Sequence, residues 1–436
     1  MTKCLGIRRE DKSIWERRVP VVPEDIPRLR EQHDLQVVVQ PSPIRVFGED
    51  EFRAAGAQVD EDLSPCDVIV AVKEVPPHLI LPNKTYIFFA HVIKGQPHNM
   101  PMLRRLLELG CTLIDYEKVT DDKGRRLIFF GRHAGLSGII DTLWALGKRL
   151  EWEGIATPFA QIELAHAYRD LDSARAAIRE AGERIRREGL PAALAPLVVG
   201  FAGYGNVSQG AQEVFAELPS VEIAPADLAT LFARSPDRHA LYKVVFKEEH
   251  MVEPLEPAGV FELQDYYQHP EKYRSCFSNH LPYLTVLVNG IYWDRRYPRL
   301  VTKAYLREHA DDLRLRVIGD ISCDIEGSIE CTVRCTEPGN PVYVYNPRTE
   351  TTTDGYAGEG VVILAVDILP SELPREASIY FSGVLRDFIP AIVAADYTVP
   401  FEQLALPPEI KRAVIVYQGK LAPDYQYLDN YLKEEA

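Results

Sequence analysis

The sequence predicts an α/β protein of two Rossmann-like, doubly wound domains, each a mainly parallel sheet covered by helices on both faces. Three observations carry that expectation. Short apolar runs alternate with helix-like stretches through the first third of the chain, a second alternation follows Ala174, and a glycine-rich turn at Gly203-Tyr-Gly205 joins a buried strand to a helix. Strands buried on both faces read as continuous apolar runs, which is what the sheet needs here.

The elements follow in order. Cys4–Ile7, Val37–Val39, Val68–Val72, Tyr86–Phe89, Thr112–Ile114 and Leu127–Phe130 are short apolar or β-branched runs, the strand candidates of the first domain. Helices are expected around Glu24–Glu31, Asp50–Ala55 and Met100–Leu109. In Gly135–Leu150, the residues Ile139, Ile140, Leu143, Trp144 and Leu146 cover most of the helix circumference. A helix apolar nearly all round is expected to lie buried between domains. Ala174, Ala177, Ile178, Ala181 and Ile185 recur at helical spacing, and Gly189 with Pro191 ends that helix. Leu197–Phe201 is then a buried strand and Gly203–Leu218 a turn opening a helix. Leu241–Phe246, Leu284–Val288, Leu315–Ile321 and Val361–Val366 are later strands, and the tail after Ser371 reads as mixed helix and loop. There is no internal repeat and no low-complexity segment.

Composition narrows the class. The 436 residues suffice for two or three domains, and 46% hydrophobic with 26% charged residues is a globular balance. No window approaches the ~20 apolar residues of a membrane helix. A net charge of −15 repels phosphate backbones, so nucleic acid is not an expected partner, while a few arginines still make a pocket locally positive. The seven cysteines are scattered without zinc spacing, so reduced thiols and no metal are expected. The N-terminus, leading into Arg8-Arg9-Glu10-Asp11, resembles neither a signal nor a transit peptide, and the expected location is cytoplasmic.

Leu197-Val-Val-Gly-Phe-Ala-Gly203-Tyr-Gly205-Asn-Val-Ser208 is a strand, a tight turn and a helix start. Gly203 allows the turn, and Gly205 lets a pyrophosphate approach the backbone where the helix presents free N–H groups. Ser208 stands where the fingerprint has its third glycine. A nicotinamide dinucleotide is the expected ligand; the plainer reading is a strand-to-helix turn needing small residues. On the next strand candidate, Val221-Glu-Ile-Ala-Pro-Ala-Asp227, Ala224 and Pro225 take the place of the acid that binds the adenosine ribose, with Glu222 and Asp227 to either side. That pattern favours NADP, with NAD possible.

Charged clusters follow successive strand candidates of the first domain, where α/β sheets place ligands. They are Arg8–Lys12 with Glu16-Arg17-Arg18, Lys73-Glu74, His91 with Lys94, and Asp115, Glu117, Arg125 and Arg126. A lysine and a histidine at the lips of neighbouring strands can serve as an acid–base pair. Arginine suits a substrate carboxylate because its planar fork binds bidentately. The plain readings stand beside these. His133 and His166 are expected as hydrogen-bonded interior histidines, Tyr292 and Trp293 as core packing as often as site lining, Asp320 and Asp324 as loop caps, and Arg184–Arg187 as a solvated helix face.

Several motifs together resemble a known family. Arg8-Arg-Glu-Asp-Lys with Trp15-Glu-Arg-Arg-Val-Pro20, Phe89-Ala-His-Val-Ile-Lys94, Leu113-Ile-Asp-Tyr-Glu117, Gly203-Tyr-Gly-Asn-Val-Ser-Gln-Gly-Ala-Gln212, Asn289-Gly-Ile-Tyr-Trp293 and Asp320-Ile-Ser-Cys-Asp324 are similar to the lysine–ketoglutarate reductase region of α-aminoadipic semialdehyde synthase. Val361–Ser378 is similar to lysine-forming saccharopine dehydrogenases, and both belong with the alanine dehydrogenase and transhydrogenase group. The resemblance implies a substrate domain of residues 1–135 plus about 365–436, a dinucleotide domain of 136–364, and an active site in the cleft between them. It implies that L-lysine and 2-oxoglutarate condense and that NAD(P)H reduces the imine to saccharopine, reversibly. Lys73 and His91 then match the acid–base groups. Arg18 and Arg126, or its neighbour Arg125, match carboxylate-binding positions, and Glu16, Glu74 and Glu117 match acidic residues that tune the site. Lys94 matches a lysine that pairs with Asp320 or Asp324. Gly203, Gly205, Asn206, Val207, Ser208, Asn289, Ile291, Asp320 and Ser322 are the expected cofactor-binding residues.

The animal and plant relatives continue into a glutamate-forming saccharopine dehydrogenase, whereas this chain stops near Ala436, so a separate polypeptide is the expected consumer of saccharopine. Two other functions fit the same residues: a related opine or amino-acid dehydrogenase with another amine or 2-oxo acid, and a non-catalytic regulator binding dinucleotide or lysine.

Overall fold

The structure is a computed structural model that describes residues 3–234 and 236–433. The chain divides into two compact units, Met1–Phe129 with Pro374–Ala436, and Phe130–Leu373.

The first unit holds a twisted sheet whose parallel part is built from β1 (Lys3–Ile7), β2 (Leu35–Val39), β3 (Gln58–Val59), β4 (Val68–Val70), β5 (Thr85–Phe88) and β6 (Thr112–Asp115). Their spatial order is β6-β5-β4-β1-β2-β3. Chain order therefore runs outward in one direction from β1 and in the other from β4, so the sheet reverses between those two strands. The central strands are buried on both faces, as their unbroken Val, Ile and Phe runs require. Helices α1 (Ile26–His33), α2 (Glu49–Ala54) and α3 (Met100–Glu108) supply the crossovers.

The second unit opens with α4 (Gly131–Trp152) and α5 (Leu171–Glu188), the latter capped by Asp170 and ended by Gly189 at φ 74°. Then come β7 (Val198–Ala202), α6 (Asn206–Phe215), β8 (Ser220–Glu222), β9 (Leu241–Phe246), a short hairpin of β10 (Val252–Pro254) and β11 (Tyr273–Ser275), β12 (Val286–Asn289) and β13 (Val317–Asp320). An antiparallel pair, β14 (Val342–Asn346) and β15 (Thr351–Asp354), precedes the parallel β16 (Val361–Leu364). The sheet order is β15-β14-β16-β13-β12-β7-β9-β8, with the reversal between β7 and β12. Helix α4 packs inside this unit, against α6 and β13. The Cβ of a residue replacing Gly135 would lie 1.9 Å from the Val207 carbonyl, and one replacing Gly319 would lie 2.1 Å from Thr142 Oγ1. Leu136, Ile139, Ile140, Leu143 and Leu146 of α4 join the core of this unit.

After Leu373 the chain returns to the first unit and adds β17 (Val414–Tyr417) antiparallel to β6, with β18 (Lys420–Leu421) beside it. This corrects two expectations. The run Leu127–Phe130 is not a strand but a bend leading into α4, with Ile128 buried and Phe129 exposed. The tail, expected as helix and loop, contains a fully buried strand. One fact explains both: β6 has two neighbours, β5 and β17, so Val414–Tyr417 takes the sheet position that the 127–130 run would have needed.

Candidate active site

A doubly wound sheet binds ligands outside the carboxyl ends of its strands, at the point where strand order reverses. In the first unit that point lies between β1 and β4, and the residues leaving these strands and β5 are the charged clusters. Lys73 lies three residues beyond β4, and among the described residues its ammonium has no hydrogen-bond or ion-pair partner. Burial and the Arg18 charge hold it below the ordinary lysine range, with Glu16 and Glu74 opposing. Such an amine gives up its proton more readily than one in water.

His91 lies three residues beyond β5, and its Nδ1 is 2.7 Å from Glu74 Oε1. Burial works to raise the Glu74 carboxyl, but hydrogen bonds from His91 and Lys12 outweigh it and bring the group to about 2. A carboxylate only accepts, so Nδ1 donates to it and Nε2 is left to take or give a proton. Lys12 Nζ donates to Glu74 Oε2 at 2.8 Å, and Asn99 Nδ2 donates to the His91 carbonyl at 3.1 Å. The His91 backbone sits at φ 47°, a left-handed conformation that costs a non-glycine residue on the order of 1–2 kcal/mol. The Asn99 bond and the Phe89 ring, stacked 6.1 Å from the imidazole, help to hold it there.

The expected carboxylate binders fall into three situations. Arg18 donates bidentately to Glu16, Nε to Oε1 at 2.7 Å and Nη2 to Oε2 at 2.6 Å, and both side chains are buried. Burial works to raise the Glu16 carboxyl, yet the Arg18 and Lys73 charges hold it below its usual range. Arg126 pairs with Glu117, half-exposed at the rim of the cluster. Arg125 instead donates to Asp121 within an exposed turn, Nε to Oδ2 at 2.7 Å, so the structure separates the two adjacent arginines. Lys94 is exposed, and its backbone N–H donates to Gln96. Two residues outside the expected set complete the cluster. Glu10 accepts from the Val72 and Lys73 backbone N–H groups at 2.7 and 2.9 Å, and Asp115 accepts from Glu117 and Ala90 at 2.9 and 3.3 Å. Both stand in the charged clusters, but the backbone groups they bind are invisible without the strand order.

In the second unit the reversal brings the β7 turn beside the end of β12, where a Cβ at Gly203 would lie 3.3 Å from the Gly290 carbonyl. Gly203 adopts φ 93°, which a side chain would oppose. Gly205 is different. Its backbone, φ −75°, suits any residue, and a Cβ there would meet no protein atom within 4 Å. The protein itself does not require that glycine, and the space beside it is open to a ligand backbone or phosphate. Asn206 opens α6, whose first N–H groups face outward from the turn. A cavity of about 270 Å³ lined by Gly203, Gly205, Glu248, Tyr267, Gly290 and Ile291 adjoins it. Val207 packs on Gly290 and Gly131, and Ser208 is buried with its hydroxyl accepting from Gln212; both support the turn. Close helix packing falls to Gly210, where a Cβ would lie 2.1 Å from the Arg132 carbonyl.

Asn289, fully buried at the end of β12, donates Nδ2 to Asp320 Oδ1 and to Ser328 Oγ, and among the described residues its Oδ1 has no partner. An orphaned acceptor beside the cavity-lining Gly290 fits a ligand amide or hydroxyl. Asp320 also accepts from Thr332 Oγ1 and the Cys323 N–H, and burial pushes it up to about 6. It therefore braces the strand ends within its own unit. Ser322 donates its hydroxyl to the Ile291 carbonyl at 2.5 Å. The residues present fit a dinucleotide: amides at the turn, an open glycine and a buried free acceptor.

The reading of the ribose position needs correction. β8 ends at Glu222, so Ala224 and Pro225 lie beyond the strand, and β8 sits at the sheet edge rather than beside β7. β9 is the neighbour of β7, and the residues leaving it are Lys247 and Glu248. Glu248 lines the cavity and accepts from the Tyr267 hydroxyl at 2.7 Å. Neither Glu222 nor Asp227 occupies that place.

Of the remaining expectations, His133 is buried against Phe130, and His166 pairs with Glu372 at 3.3 Å. Tyr292 is exposed, lining the cavity rather than the core, while Trp293 donates to the Tyr297 carbonyl. No cluster of three metal-ligating side chains occurs among the described residues, and no helix there is long and apolar enough to cross a membrane.

Comparison with known proteins places this geometry. Residues 6–137 match the family model of the alanine dehydrogenase/PNT N-terminal domain. The alpha-aminoadipic semialdehyde synthase of Arabidopsis thaliana is 37% identical over 446 residues, covering 98% of this chain and 41% of that protein. The chain thus spans less than half of that relative. The saccharopine dehydrogenase [NAD(+), L-lysine-forming] of Neurospora crassa is 28% identical, with 82% of each covered. Among solved structures, an L-alanine dehydrogenase superposes with a TM-score of 0.63 at 18% identity, covering 98% of this chain and 99% of that one, which shows a shared fold. The resemblance to α-aminoadipic semialdehyde synthase and, more distantly, to lysine-forming saccharopine dehydrogenases that the motifs carry therefore holds along nearly the whole chain.

Proposed function

We propose that the chain is an NAD(P)-dependent oxidoreductase that condenses L-lysine with 2-oxoglutarate and reduces the product to saccharopine, reversibly. The observation that carries this reading is the trio Lys73, Glu74 and His91: an ammonium held below its ordinary range and without a partner among the described residues, followed in the chain by a carboxylate that ties the Nδ1 of an imidazole. Imine formation needs a group that strips a proton from the incoming ammonium and one that protonates the departing carbinolamine oxygen. Neutral Lys73 or His91 Nε2 does the first, and the same groups once charged do the second, a contribution of typically ~10²–10⁴-fold. Arg126 and Arg18 would take the substrate carboxylates, each sharing or exchanging the carboxylate that now holds it, Glu117 and Glu16. The bound nicotinamide supplies the hydride. Gly203, Gly205 and Asn206 would hold its pyrophosphate and Asn289 Oδ1 a polar group of the ligand.

The cofactor reading extends to both dinucleotides. Glu248 at the end of β9 suits the free ribose hydroxyls of NAD, and Lys247 before it suits a 2′-phosphate. The seven free cysteines support a reducing, cytoplasmic setting. The test follows absorbance of the reduced nicotinamide with lysine plus 2-oxoglutarate, comparing NADPH with NADH and then replacing each substrate in turn. Oxidation that requires both substrates is the expected result. The Lys73→Met, His91→Gln double variant should lose at least about 10²-fold in kcat while still binding the dinucleotide. Oxidation with pyruvate or another amine in preference, or a double variant of near-normal rate, rejects the proposal.

A further inference from the structure

The segments that present Lys73 and His91 are loops, and loops hold a side chain in reactive geometry only if their backbone is tied down. Each is tied by a buried carboxyl from the adjoining strand. Glu10, just beyond β1, accepts the N–H of Val72 on one oxygen at 2.7 Å and of Lys73 on the other at 2.9 Å. Asp115, the last residue of β6, accepts the N–H of Ala90, immediately before His91, at 3.3 Å and that of Glu117 at 2.9 Å. Sheet order puts each carboxyl beside the segment it ties: β1 lies beside β4, and β6 beside β5. Both carboxyls are buried, Glu10 at 7% exposure and Asp115 at 0%. Burying a carboxyl is costly unless it is hydrogen-bonded, and the backbone N–H groups supply those bonds.

We propose that Glu10 and Asp115 are positioning residues, a pair of carboxyl clamps that fix the peptides carrying Lys73 and His91. The inference rests on the acid–base assignment above and assigns no proton transfer to the clamps themselves. His91 gives the clearest reason for a clamp: its left-handed backbone at φ 47° must be imposed from outside. The chemistry of the clamps is also specific. Glu10 uses both oxygens, one for each N–H, so an amide in its place retains one acceptor and turns an N–H₂ toward the second backbone N–H, whereas Asp115 takes both N–H groups on Oδ1 and needs that single oxygen. Burial pushes both carboxyls up to about 7. Glu10 is faced by Glu16, Arg8, Arg18, Arg45 and Tyr116, and Asp115 by Glu117, His91, Tyr116 and Tyr425.

The test uses Glu10→Gln and Asp115→Ala, which removes the Oδ1 acceptor, with Glu10→Asp as the variant that keeps the charge but shortens the reach. Two readouts are taken on the full chain. Backbone amide exchange should rise by about 10-fold or more at Val72 and Lys73 in the Glu10 variants, and at Ala90 in Asp115→Ala, while β2 and the β12 strand keep wild-type protection. This arm needs no substrate, so it decides on the clamps even if lysine and 2-oxoglutarate prove not to be substrates. In the assay, kcat at saturating substrates should fall by about 10²-fold while dinucleotide affinity stays within about twofold. Unchanged exchange at those amides overturns the proposal. So does a loss of protection spread evenly over the first unit, or a kcat equal to wild type in variants whose clamps have opened. If Glu10→Gln does not fold, the same outcomes are read from Glu10→Asp and Asp115→Ala.

Discussion

Glu372 is 2% exposed, lies 3.3 Å from His166 Nδ1, and shares its surroundings with the fully buried Asp141. Burial pushes Glu372 up to about 7 and Asp141 well above its usual range, with the Glu372 charge adding to the latter. The sign of the consequence follows from proton counting. Between roughly pH 4.5 and 7 the folded chain keeps a proton on Glu372 that the unfolded chain has lost, so stability falls as pH rises through that window. A shift of this size corresponds to on the order of 3 kcal/mol. Glu372→Gln, which stays neutral, should therefore have an unfolding midpoint in urea above that of wild type at pH 8 and close to it at pH 5. Equal gaps at the two pH values would show that packing, not ionisation, separates them. The same side-chain scale explains which site residues are legible in the sequence. Lys73 and His91 each stand just past an apolar run, so strand pattern alone locates them. Arg125 and Arg126 are adjacent and chemically alike, and only the Asp121 turn, closed by bonds to the Arg125 backbone and guanidinium, separates them.

Among elements, local pattern and long-range pairing part company. Runs such as Val68–Val70 and Val286–Asn289 read as strands because parallel sheets bury both faces. Which strand lies beside which is settled by packing across the chain. That is why β8, next in sequence after α6, is an exposed edge while β9 takes the place beside the glycine turn, and why sequence pattern does not single out Glu248. It is also why Val414–Tyr417, more than 290 residues from β6, displaces the Leu127–Phe130 run. The α4–α6 pair gives a direct test of how the turn is supported. At Gly135 a Cβ would lie 1.9 Å from the Val207 carbonyl and 2.7 Å from the Ala211 nitrogen, both backbone atoms of α6. Gly135→Ala should therefore force the helices apart and cost about 1–3 kcal/mol, read as a lower urea midpoint. Gly205→Ala meets no protein atom, so its midpoint should match wild type while dinucleotide affinity drops about tenfold or more, read by fluorescence titration. If the two variants lost stability equally, the open space at Gly205 would not be a ligand's.

At the scale of the molecule, the first unit is assembled from both ends of the chain and the second from one unbroken stretch, Phe130–Leu373. The second also holds within itself the groups proposed for a dinucleotide: the open glycine, the α6 N-terminus, Glu248 and the Asn289 oxygen that has no partner among the described residues. Its core of α4, α5 and the central strands is continuous, and a domain with its own core is expected to fold alone. Residues 130–373 expressed by themselves should then unfold cooperatively and bind NADH or NADPH within about tenfold of the full chain's affinity, a difference of roughly 1.4 kcal/mol. The isolated segment should oxidise neither cofactor with lysine and 2-oxoglutarate, because Lys73, Glu74 and His91 belong to the other unit. Calorimetric titration of the segment measures the first point, and the absorbance assay measures the second. A folded segment that binds no dinucleotide would move the cofactor site away from the glycine turn. Turnover by the segment alone would remove the lysine and histidine from the chemistry, and with them the reason for the two carboxyl clamps.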